Sequence, residues 1–124
     1  MFEFTRDQVW IDASQNIADL PCLTIAALNG TLAGGGFALA LACDMRIATP
    51  QAKFFYPVLK RGFLPQPNDV KRMAALCGTA QAKMILMAGQ KLVADDALRI
   101  GLIDRVEAPE NLDRAVEEEL SLIL

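Results

Sequence analysis

Three consecutive glycines, Gly34, Gly35 and Gly36, are the residues of this sequence best suited to chemistry. They stand between an apolar segment and a run of small apolar residues that is typical of a short buried helix. Glycine adopts positive φ angles without strain and lets a ligand approach the backbone closely. The first N–H groups of the following helix have no intrahelical acceptor, so they can receive an anion or a developing oxyanion. The sequence therefore predicts a backbone site that polarises a bound group.

No acid–base side chain accompanies the triplet. The chain contains no histidine, which excludes a Ser-His-Asp triad, a Cys-His dyad and a histidine-ligated metal within it, and its three cysteines lack metal-type spacing. Asp69 and Tyr56 are the remaining catalytic candidates. Asp69 has an alternative role as a residue that favours the start of a helix. Tyr56 has an alternative role as a half-buried structural tyrosine. Asp44 is interpreted as structural, either capping or paired with Arg46 or Arg72.

Composition narrows the class of protein. The chain has 124 residues, enough for one domain, and 53% of them are hydrophobic, which argues against disorder. That excess indicates a buried oligomer interface or a piece of a larger core. A net charge of −3 makes duplex nucleic acid an improbable partner. No signal peptide and no uncharged run of about 20 residues is present, so we expect a cytoplasmic protein without a membrane span.

Basic residues form one group in the sequence that has two interpretations. Either they make a solvated rim, or they form a patch for a phosphorylated ligand. The group consists of Lys53, Lys60, Arg61, Lys71 and Arg72.

Alternating helices and strands are expected to position these residues. Predicted helices cover 7–20, 36–43, 68–77, 79–87, 94–100 and 109–124, and predicted strands cover 22–28, 44–48, 53–56 and 103–106, with an irregular loop over 58–67. The first strand is expected to be buried on both faces, and Asn68 and Thr79 are the expected N-caps of their helices. This alternation predicts an α/β class with parallel pairing.

Six motifs between residues 21 and 109 occur together in a familiar order. They are PCLTIAALNG at 21–30, AGGG at 33–36, LALACDMRIA at 39–48, AKF at 52–54, GFLP at 62–65 and ADDALRIGLIDRV at 94–106. Through these motifs the chain resembles the enoyl-CoA hydratase/isomerase (crotonase) family over about three quarters of its length.

The resemblance implies a fold, a ligand and a chemistry. The fold would be a crotonase-like spiral of strand-strand-helix turns, with residues 1–124 forming its central and C-terminal part, assembled as a trimer or hexamer. The ligand would be an acyl-CoA of fatty acid metabolism, bound as substrate without a further cofactor. Its thioester oxygen would lie between two N–H groups and the reaction would pass through an enolate. Gly35 would supply one N–H, and a loop preceding Met1 would supply the other.

Departures from the family pattern concern proton transfer. Ala38 and Val58 stand where hydratases of the family carry glutamates, and Gln66 stands where some isomerases carry a carboxylate. None of these side chains can act as an acid or a base, so the resemblance implies a reaction other than simple hydration. The expected substrate-binding residues, some of which have plain core packing as their alternative, are Gly34, Gly36, Phe37, Ala38, Tyr56, Val58, Leu64 and Gln66.

Three functional hypotheses follow. The chain is an acyl-CoA enzyme of isomerase, decarboxylase or hydrolase type, or a non-catalytic fragment or pseudoenzyme that keeps the fold for oligomer assembly. The third hypothesis, a nucleotide-phosphate binder, is disfavoured because the loop lacks both Gly-Lys-Ser/Thr and Gly-x-Gly-x-x-Gly. We also expect the isolated chain to expose apolar surface and to self-associate.

Overall fold

A computed structural model of the chain describes residues 4–123, with side chains from residue 8 onward. The helices are α1 Phe4–Ala18, α2 Gly36–Ala42, α3 Pro67–Cys77, α4 Thr79–Leu86, α5 Ala94–Arg99 and α6 Leu112–Ile123. The strands are β1 Ile25–Leu28, β2 Leu32–Ala33, β3 Met45–Ala48, β4 Lys53–Phe55, β5 Leu92–Val93 and β6 Arg105–Val106. Single 3₁₀ turns cover Leu59–Arg61 and Pro109–Asn111.

Two three-stranded sheets confirm the α/β class. The first has the order β1-β3-β6 with parallel neighbours, and Ile25 lies opposite Met45. The second has the order β2-β4-β5, in which β2 is parallel and β5 antiparallel to β4. The sequence did not predict β2 or β5, because two-residue strands are too short to show a hydrophobic period. Wholly parallel pairing is therefore wrong for β5.

β1 is less buried than its sequence indicates. It begins only at Ile25, and Ala27 is exposed, so the prediction of a strand buried on both faces over 22–28 is wrong. Within the described chain, β1 lies at the edge of its sheet with only β3 beside it.

Helix starts differ from two predicted caps. α3 begins at Pro67, preceded by an extended Gln66, so Asn68 is its second residue and not its N-cap. Proline favours the first helical position because its fixed φ suits the helix and it has no N–H to leave unpaired. Gly78, with φ of 84°, both ends α3 and precedes α4, which makes Thr79 the first helical residue and not the cap.

The main core surrounds α2, as the small apolar composition of this helix predicts. Five of its seven residues are buried, and Phe37 is fully enclosed. Its neighbours in the main cluster include Phe54, Met73, Ile85, Leu102 and Ile103. A smaller cluster of Ile47, Leu112 and Ala115 includes residues of β3 and α6.

Asp44 is structural, but its partner is neither arginine that the sequence suggested. Its carboxylate accepts hydrogen bonds from the N–H of Thr24 at 2.9 Å and from the Thr24 hydroxyl at 3.2 Å. The buried Arg46 side chain instead donates to the carbonyls of Leu102 and Cys43 and pairs with Asp104 at 3.4 Å. These contacts hold the end of α2 against β3.

Candidate functional site

The glycine triplet forms a tight turn into α2. Gly34 has φ of 54°, a left-handed conformation that favours glycine, and Gly35 has φ of −59° and ψ of −27° directly before Gly36, the first residue of the helix. The N–H of Gly34 donates to the carbonyl of Phe55 at 3.4 Å. The turn is therefore anchored to the end of β4.

Two amides of this turn are unpaired, although neither of their residues lines the neighbouring cavity. The N–H groups of Phe37 and Ala38 donate to the carbonyls of Gly34 and Gly35, each at 3.1 Å. The N–H groups of Gly35 and Gly36 have no acceptor anywhere in residues 4–123. Unsatisfied N–H groups in a glycine turn suit a carbonyl oxygen that gains negative charge during a reaction.

Trp10 of α1 supports the turn from one side. A Cβ atom placed on Gly35 would lie 3.0 Å from Cζ2 of Trp10 and 3.2 Å from Cε2 and Cη2, which is closer than ordinary contact. A larger residue at position 35 would therefore press against Trp10, whereas the φ angle of Gly35 alone would accept one. The sequence predicted a helix over 7–20, which includes Trp10, but gave no sign of this contact.

A cavity of about 240 Å³ lies beside Gly34. It is lined by Ala33, Gly34, Phe55, Pro57, Val58 and Arg61. The structure thereby places Gly34 and Val58, two of the predicted substrate-binding residues, in one cavity lining. No lining residue carries a carboxylate, and Arg61 is the one charged member of the lining. Sequence reasoning included Arg61 in the basic group but did not connect it with the glycine turn.

Tyr56 and Asp69 form a buried pair behind the turn. The ring of Phe37 packs against that of Tyr56, with 5.4 Å between centroids. The Tyr56 hydroxyl lies 2.5 Å from Oδ2 of Asp69 and donates to it, while Oδ1 of this fully buried carboxyl has no partner among the described residues. Burial raises the pKa of Asp69 above its ordinary value of 3.8, although the hydrogen bond and the charge of Arg72 act in the opposite direction.

The remaining candidates lie at different depths. Ala38 is fully buried beneath the turn, and Gln66 is 8% exposed with its Oε1 unpartnered within the described chain. Leu64 is 59% exposed and lines a separate apolar cavity of about 370 Å³, together with Val70 and Met87. The structure therefore distributes the predicted residues over two cavities and the core, and their roles toward a substrate stay predictions.

Members of the basic group have different neighbours. Lys60 lies along Gly89, whereas Arg72 donates to Oε1 of Gln15 at 3.2 Å. Arg61 lines the cavity beside the glycine turn. Arg61 is also exposed, so both interpretations of the basic group stay open for it. None of the helices in residues 4–123 has the length and apolar character that a bilayer crossing needs.

Sequence comparison identifies relatives along most of the chain. The family model described as enoyl-CoA hydratase/isomerase matches residues 4–123. A short-chain-enoyl-CoA hydratase of Clostridioides difficile is 43% identical over 101 residues, covering 82% of this chain and 64% of the relative. A short-chain-enoyl-CoA hydratase of Clostridium acetobutylicum is 39% identical over 94 residues, covering 76% of this chain and 36% of the relative. The chain thus matches less than two thirds of the length of either relative.

Solved structures agree with the sequence relatives. The crystal structure of an enoyl-CoA hydratase from Bacillus anthracis superposes with a TM-score of 0.88 at 28% identity. The match covers 99% of this chain and 49% of that one. The α/β architecture described above is thus an incomplete version of the fold of that enzyme.

Proposed function

Because this chain belongs to the enoyl-CoA hydratase/isomerase family, we propose that it binds an acyl-CoA thioester and stabilises the enolate derived from it. The observation that carries this proposal is the pair of unoccupied N–H groups at Gly35 and Gly36, next to the cavity beside Gly34. The thioester oxygen would accept from Gly35. Loss of one such donor lowers rates by about 10²- to 10³-fold in enzymes that use oxyanion holes.

The reaction is proposed to be other than simple hydration. Adding water across a double bond needs an acid and a base within hydrogen-bond reach of the reacting carbons. Ala38 and Val58 supply neither. The side chain of Asp69 is fully buried in the core, where it is hydrogen-bonded to Tyr56, and it does not line the cavity. Isomerase, decarboxylase and hydrolase chemistry remain the candidate reactions.

A second candidate is a non-catalytic member that retains the fold for oligomer assembly. The uncharged side chains of Ala38 and Val58 and the lack of a carboxylate in the cavity lining favour it. The two candidates differ in turnover but not in fold. A catalytic chain turns over a bound thioester, whereas a non-catalytic chain does not.

Calorimetry and isotope exchange distinguish these candidates. We expect butyryl-CoA to bind more tightly than free CoA, because only the thioester offers a carbonyl to Gly35. Enolate stabilisation predicts that the α-protons of bound butyryl-CoA exchange with deuterated solvent faster than those of the free ester. Binding without accelerated exchange supports the non-catalytic candidate. Equal binding of butyryl-CoA and CoA contradicts a thioester site.

Homo-oligomerisation, as a trimer or hexamer, forms part of the proposal. Large apolar side chains of described residues are exposed, including Phe63 at 52%, Met87 at 61% and Leu122 at 81%. Exposed apolar surface of this kind favours association. Light scattering on the purified chain tests the oligomer, and a monomer at all concentrations contradicts it. A cytoplasmic location and a role in fatty acid metabolism stay predictions.

A further inference from the structure

We propose that the cavity beside Gly34 selects an acyl group that carries its own carboxylate, with Arg61 as the residue that receives it. The inference rests on the proposed function, since it assigns the substrate class of the same site. It arises from one contrast in the lining. Five lining residues are uncharged, and the sixth is the arginine Arg61.

The charge of Arg61 is not compensated by a neighbour. Its guanidinium forms no ion pair with any carboxylate in the described part of the chain. A second positive charge lies close by, because Nζ of Lys91 is 5.0 Å from the ring centroid of Phe55, which also lines the cavity. With no acidic residue in the lining, the cavity favours an anion.

The shape and chemistry of the cavity indicate a carboxylate on a short chain. A guanidinium binds a carboxylate through two parallel hydrogen bonds, and Phe55 and Val58 supply apolar walls for the carbons that precede the carboxylate. A volume of about 240 Å³ lies below the roughly 300–1,000 Å³ of cavities for drug-sized ligands. A short acyl group fits this volume, and its terminal carboxylate would meet Arg61.

The phosphates of CoA are a less suitable occupant of this cavity. A thioester oxygen at Gly35 would bring the thioester group next to Gly34, which is one residue away in the turn and part of the cavity lining. The pantetheine arm, a long chain of single bonds, separates the phosphates from the thioester. Arg61, which shares a cavity lining with Gly34, is therefore closer to the proposed thioester position than the phosphates would be.

The test compares two acyl-CoA ligands by calorimetry on the full chain at constant ionic strength. Glutaryl-CoA and valeryl-CoA share the same number of acyl carbons and the same phosphates, and differ by a terminal carboxylate in place of a methyl group. Because Arg61 is exposed, we expect the chain to bind glutaryl-CoA up to about fivefold more tightly. Arg61→Gln should remove this preference by lowering the affinity for glutaryl-CoA to that for valeryl-CoA. Lys60→Gln, the matched control at a neighbouring cation outside the lining, preserves it.

Each other outcome has a definite meaning. Equal affinity for the two ligands in the unmodified chain overturns the inference and leaves acyl-CoA binding intact. An equal loss for both ligands in Arg61→Gln also overturns it, because that pattern assigns Arg61 to the shared CoA portion. Failure of both ligands to bind overturns the proposed function itself, and the inference with it.

Discussion

Gly35→Ala tests how closely Trp10 packs against the glycine turn. Gly35 has ordinary helical φ and ψ angles, so alanine meets no backbone strain there. Its new Cβ would instead lie 3.0 Å from Cζ2 of Trp10. Overpacking of this kind costs about 1–3 kcal/mol, and we expect the lower end because Trp10 is 40% exposed and can move. Gly30→Ala is the matched control, since a Cβ there has no atom within 4 Å.

Chemical and thermal denaturation of the two variants measure the difference. Both substitutions restrict the unfolded chain equally, so their difference in unfolding free energy reports the contact with Trp10. A loss of about 1 kcal/mol lowers Tm by about 3–6 °C at this chain length. In a Trp10→Ala background the cost of Gly35→Ala should disappear, as a double-mutant cycle would reveal. Equal stability of Gly35→Ala and Gly30→Ala would refute the packing described here.

Three further perturbations probe the core and the C-terminal helix. Asp69→Asn should remove a pH dependence of the unfolding free energy. Burial raises the pKa of Asp69 in the folded state above 3.8, so the folded chain binds more protons than the unfolded chain. The unfolding free energy therefore falls as pH rises through that raised pKa. Urea titrations across this pH range should show this fall in the unmodified chain and not in Asp69→Asn. An equal fall in the two proteins would assign the pH dependence to another titratable group. Arg105→Gln breaks ion pairs of 2.6–3.0 Å with three carboxylates, two of them on α6, and should lower Tm by an amount that shrinks in about 1 M NaCl. A salt-independent loss would point to packing instead. Phe37→Ala, at a fully buried ring, should cost about 3–5 kcal/mol, whereas Leu122→Ala, 81% exposed, should change unfolding free energy by less than about 0.5 kcal/mol. Similar losses for the two would contradict the core assignment.

Local sequence patterns predicted most elements of the fold. Helical periodicity, together with glycines at helix ends, located the six helices within a few residues. Apolar runs located β1, β3 and β4. Short pairings escaped prediction because β2 and β5 each contain two residues and are defined by partners distant in sequence. The cap at Gln66 was missed because Pro67 selects the helix start more strongly than Asn68 does.

The candidate site was predictable only in part. The glycine triplet was evident from its residue types, and its turn geometry follows from them. The position of Arg61 in the cavity depends on the 3₁₀ turn Leu59–Arg61 after β4, in a stretch that the sequence indicated only as irregular. The contact between Trp10 and Gly35 joins α1 to α2, and no local pattern encodes such a tertiary contact.

The most direct test of the central claim follows the amide of Gly35 itself. In ¹⁵N-labelled protein, two-dimensional NMR can compare its ¹H and ¹⁵N shifts during titration with butyryl-CoA and with free CoA. The account predicts a large downfield proton shift at Gly35 with the thioester and a much smaller one with CoA, because only the thioester supplies an acceptor. Unchanged Gly35 resonances at saturating butyryl-CoA would contradict the assignment of this amide as the oxyanion donor.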